Sequence, residues 1–114
     1  MSIHTDSCAE LETIVVKTRS SVYELVVLGG DHGDVLLRGG RHFKEFQRAV
    51  FLGSTAEGGS FQPRTIDIGL RMRFIVADGL FVTSAVKSLS RHLASAASPE
   101  RAQRSQPGVL NATS

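Results

Sequence analysis

Residues 65–76, TIDIGLRMRFIV, constrain the fold of this chain more than any other stretch. Ile66, Ile68, Leu70, Met72, Phe74 and Val76 fall on every second position, with Thr65, Asp67, Gly69, Arg71 and Arg73 between them. A period of two belongs to a strand with one covered face, not to a helix. Asp78-Gly79 then matches a two-residue type I′ turn, so LFVTSAVKSL (80–89) is expected to return antiparallel. That turn predicts Val76 opposite Phe81, Phe74 opposite Thr83 and Met72 opposite Ala85.

The rest of the chain reads as more of the same. TIVVKT (13–18) and VYELVVL (22–28) are β-branched or alternating and are expected to be strands. GGDHGD (29–34) is a turn by composition, and VLLR (35–38) should pair back as a hairpin with 22–28. The segment 41–54 is ambiguous. Phe43, Phe46 and Val50 have helical spacing, whereas RAVFLGS reads equally as a strand. GSTAEGGS within 53–60 has the glycine frame of a phosphate loop, but Gly59 stands where its lysine would be, so it reads as a connector.

An open sheet with a one-sided apolar stripe leaves edges and a face uncovered, and curling into a barrel covers both. The expected architecture is all-β, a small barrel or roll (SH3-like) of about five or six antiparallel strands, with at most one short helix. Residues 1–11, polar and acidic, are expected to be a flexible leader, 12–92 the barrel domain and 93–114 a disordered tail. A short helix near 88–97 is a further expectation.

Composition limits the chemistry. With 114 residues the chain is a single domain, and its net charge of +2 is too small to imply a nucleic-acid partner by itself. One cysteine, Cys8, excludes an internal disulfide and a cysteine-based zinc site. No secretory signal and no apolar run of membrane-spanning length is present, so the chain reads as cytoplasmic, with no membrane partner.

Five short pieces, TRSSVYEL, RGGRHF, GST, IGLRMRF and VTSAVKSL, together resemble a pattern of short bacterial proteins of unknown function. The resemblance covers 13–89 and implies that this span is the domain. It carries no catalytic residue.

Candidate sites are few. Asp31, His32, Asp34 and His42 would suit a divalent metal if the hairpin folded back, but turns collect Asp and Gly for backbone reasons, and no metal or other cofactor is expected. Ser20, Ser21, Ser54, Ser60, Ser84 and Cys8 lack a nucleophile motif, so an enzyme is not expected. The chain reads as a non-enzymatic interaction module that contacts a protein partner or itself as a homo-oligomer. Strands apolar on both faces, such as 22–28 and the Ile75/Val82 pair, are the reason. The expected contact surface is Arg41, Phe43, Arg71 and Arg73. Nucleic-acid binding through the outward arginines is the alternative, weakened by the want of an aromatic stacking platform.

Overall fold

The computed structural model describes residues 2–93. Nine strands follow one another: β1 (Ser2–His4), β2 (Thr13–Thr18), β3 (Val22–Gly29), β4 (Asp34–Gly39), β5 (Phe43–Thr55), β6 (Phe61–Pro63), β7 (Thr65–Asp67), β8 (Arg71–Val76) and β9 (Gly79–His92). Six of them form a ring in the order β4-β3-β2-β9-β8-β5, closed by a β4–β5 pairing. Every pairing in the ring is antiparallel. Chain order and ring order coincide apart from the β6–β7 excursion, so this is an up-and-down barrel. Such a ring closes only with an even number of strands, because each neighbour must run the opposite way.

The alternation read from the sequence fills the barrel. Ile14 and Val16 of β2, Leu25 and Val27 of β3, Val35 and Leu37 of β4, and Met72 and Phe74 of β8 are all fully buried. Phe51 lies against Phe74, with ring centroids 5.3 Å apart.

In an up-and-down barrel the β2–β3, β4–β5 and β8–β9 turns share one end. There Phe81 meets Phe43 edge-to-face at 4.8 Å, Tyr23 at 6.0 Å and His42 at 5.8 Å. The opposite end is closed by a two-stranded ribbon, in which Ile3 of β1 pairs with Ile66 of β7. Both side chains are buried. Thr5 extends the closure, its N–H donating to the Arg64 carbonyl at 2.9 Å and its hydroxyl to the Gly30 carbonyl at 3.2 Å.

Several expectations are corrected. Residues 2–11 are not a loose leader: they supply β1 and a 3-10 turn, Thr5–Ser7, and bury Ile3 and Thr5. The stripe 66–76 is not one strand. Gly69 has φ +88°, β7 pairs with β1, β8 pairs with β5 and β9, and Ile68 at the break is exposed. The hairpin register is displaced by two residues, with Val76 opposite Gly79 and Phe74 opposite Phe81, so its connecting residues are Ala77 and Asp78. No α-helix occurs among the described residues: 43–55 is strand, and β9 runs on to His92. In β5, Ala49 and Phe51 point inward while Phe46 is exposed, so pairing on both edges outweighs the helical spacing. The tail expected over 93–114 lies, apart from Leu93, outside the described residues.

Candidate interaction face and arginine groove

The outward wall of β5, β8 and β9 collects two features. The first is an apolar rung. Val50, Ile75 and Leu80 are register partners across the three strands, and Ile75 and Leu80 remain 43% and 53% exposed. Leucine and isoleucine on neighbouring strands at such exposure make a small continuous apolar patch, unlike a scattered surface residue.

The second is a groove of about 490 Å³ further along the same wall, whose lining includes Arg19, Thr55, Glu57, Arg71, Arg73 and Ser84. A β-bulge shapes it. Arg73 faces Val82 but Arg71 faces Ala85, so Met72 stands opposite both Thr83 and Ser84. The Thr83 hydroxyl replaces the lost ladder partner, accepting from the Met72 N–H at 3.0 Å and donating to the Ser84 carbonyl at 2.8 Å. Arg71 Nε donates to the Thr83 carbonyl at 2.9 Å, which fixes the guanidinium of this groove-lining residue. The β2–β3 turn is fastened to the same bulge. Arg19 N–H donates to the Ala85 carbonyl at 3.0 Å and Ser20 N–H to Ser84 Oγ at 3.2 Å, bringing Arg19 beside Arg71.

The four expected contact residues separate. Arg71 and Arg73 line the groove. Arg41, exposed in the β4–β5 turn, borders a neighbouring recess of about 340 Å³ that shares Val82 and Ser84 with the groove. Phe43 is corrected: at 7% exposure it is barrel-end core against Phe81, not a contact residue. Arg19 and Thr55 were not singled out from sequence. Arg19 stands at a turn and Thr55 at a strand end, and only the bulge and the barrel's stagger bring them together.

Other candidates resolve simply. Asp31 and His32 are exposed and 3.5 Å apart at the β3–β4 connection, whereas His42 is at the opposite end of the barrel. No group of three or more metal-ligating side chains occurs among the described residues. Of the glycine-rich 53–60 segment, 53–55 end β5 and 56–60 form the β5–β6 hairpin loop, held by Ala56 N–H to the Ser60 carbonyl at 2.8 Å. Cys8 is half-buried, and burial first, then the Glu12 carboxylate, push its thiol pKa up against a smaller opposing pull from Arg91. A thiol held protonated is a weak nucleophile. No helix of the described residues is long and apolar enough to cross a membrane.

Compared with protein-family models, with curated proteins and with solved structures, the chain matches none.

Proposed function

We propose that the chain is a non-enzymatic interaction module that self-associates through the outward wall of β5, β8 and β9. The apolar rung Val50–Ile75–Leu80, with Ile75 and Leu80 exposed, carries this reading. A twofold axis through the midpoint of the Ile75–Leu80 pair lays Ile75 of one copy on Leu80 of the other. Apolar surface then meets apolar surface, which is the self-complementarity an isologous dimer needs. The rung is small beside the roughly 800 Å² per partner of a stable interface, so the association is weak and concentration-dependent.

Sedimentation velocity from micromolar to submillimolar concentration tests it. A dimer that persists at high salt and is lost in Leu80→Asp is the expected result. A chain that stays monomeric throughout would overturn the reading. The alternative, nucleic-acid contact through Arg71 and Arg73, has the groove's cations in its favour. Against it, no aromatic side chain lines that groove to stack a base.

A further inference from the structure

The arginines of this barrel divide into two sets. Arg38 pairs with Glu24, Arg64 with Asp6 and Arg91 with Glu12. Arg19, Arg41, Arg48, Arg71 and Arg73 have no carboxylate partner among the described residues, and three of these five line one groove. Like charges gathered in a concave site repel one another and raise the local potential for an anion. Glu57, the acidic residue of the lining, is not within ion-pair distance of them.

A second observation is independent of charge. Thr55 belongs to the same lining, and its Oγ1 is buried with no hydrogen-bond partner. Buried hydroxyls in native proteins nearly always find one. The groove thus holds guanidinium forks, one of them preset by the Arg71–Thr83 bond, with an unsatisfied hydroxyl buried behind its wall.

We infer that this groove binds a phosphate group, carried by a small phosphomonoester. Guanidinium forks match phosphate oxygens two at a time, which a lone carboxylate exploits less fully. Size favours a small ligand: about 490 Å³ is within the range of small-molecule sites and holds a mononucleotide-sized molecule. A polynucleotide would need cations continuing along the strand and aromatic faces for its bases, and the groove lining has no aromatic residue. The inference is independent of self-association, since it uses Arg19, Arg71 and Thr55 and not the apolar rung.

The test is an amide-resolved NMR titration of the full chain with inorganic phosphate, with adenosine 5′-monophosphate and with an oligothymidylate. Saturable shifts centred on Arg19, Thr55, Gly59 and Ser84 are expected with the first two. Removing one charge-assisted fork in Arg71→Ala should weaken binding about tenfold or more. Arg19→Ala, a truncation in an exposed turn that leaves the barrel intact, should act likewise. Arg48→Ala, an unpaired arginine outside the groove, should bind as the parent does. Absence of saturable shifts, or affinity equal to the parent's in Arg19→Ala and Arg71→Ala, would overturn the site. Oligothymidylate binding far tighter than the mononucleotide, with a steep salt dependence, would overturn the small ligand in favour of a nucleic-acid strand.

Discussion

Glu12 and Arg91, 79 residues apart in sequence, form an ion pair whose carboxylate is 1% exposed and whose guanidinium is 38% exposed. The carboxylate is also fixed from its own side, Oε1 accepting the Ala9 N–H at 3.0 Å. One buried acid thus joins the start of β2 to the end of β9 and holds the turn that leads back to β1.

The hydrogen bond from Arg91, more than any other cause, holds the Glu12 carboxyl below its ordinary value of 4.5, against the opposing effect of burial. As pH falls, the unfolded chain takes up this proton before the folded one does. The pair's contribution is therefore complete above about pH 4.5 and is lost as pH drops through the lower, folded value. Urea unfolding of the parent should show a loss of stability over that acid range. Glu12→Gln should remove this component of the pH dependence. Arg91→Ala at neutral pH leaves a buried carboxylate without its cation, and should cost about 1–3 kcal/mol, discounted for the arginine's exposure.

Gly30 explains why the N-terminal segment docks where it does. A Cβ there would stand 1.9 Å from the Thr5 carbonyl oxygen, a backbone atom that cannot swing aside. Gly30→Ala should displace the 3-10 turn Thr5–Ser7 and with it β1, at a cost of about 1–3 kcal/mol, the usual range for overpacking. Hydrogen exchange should report it locally. The Thr5 amide, bonded to the Arg64 carbonyl at 2.9 Å, should lose protection while the β2–β3 ladder keeps it.

The closure by β1 was not legible because a single apolar residue, Ile3, in a polar context gives no period. Its burial depends on a partner, Ile66, that lies far away in sequence. The barrel itself was legible, because the β-branched run of 13–18 and the alternation in 22–28 and 71–76 are local strand signals that match the final burial. The hairpin shows how far such a signal reaches. Its register was misplaced by two residues, yet Met72 and Phe74 still face inward, since only a slip by an odd number exchanges the faces of a strand. The break at Ile68–Leu70 was hidden by a continuous pattern, and Gly69 within it was the available cue. The groove was half legible. Arg71 and Arg73 share a strand face, but Arg19 joins them only through the bulge at Thr83 and Ser84.

Ser54 should be a residue that the barrel tolerates at a cost. It is fully buried opposite Met72, and its Oγ finds no partner among the described residues. Burying a hydroxyl without a hydrogen bond costs about 1–3 kcal/mol, and removing it leaves only a small space. Ser54→Ala is therefore expected to raise the urea midpoint with an unchanged slope, by about 1 kcal/mol in stability. Thr83→Val should do the reverse, although it too deletes a buried hydroxyl. Its Oγ1 accepts the Met72 N–H, so the substitution strands a backbone donor inside the bulge.

Cys8 provides a chemical probe of the Glu12 environment. Burial and the Glu12 carboxylate raise its thiol pKa above the ordinary 9.0, so little thiolate exists near neutral pH and alkylation should be slower than for a free thiol. Replacing the carboxylate in Glu12→Gln removes the negative charge that opposes ionisation, while Arg91, which favours it, remains. The thiol pKa should then fall and the alkylation rate at fixed pH should rise. Unfolding would also speed the reaction, so the pH dependence of the rate is the deciding measurement. A profile that moves to lower pH in the folded variant marks the charge effect. Faster reaction with an unmoved profile would show that Glu12 acts on Cys8 only by shielding it.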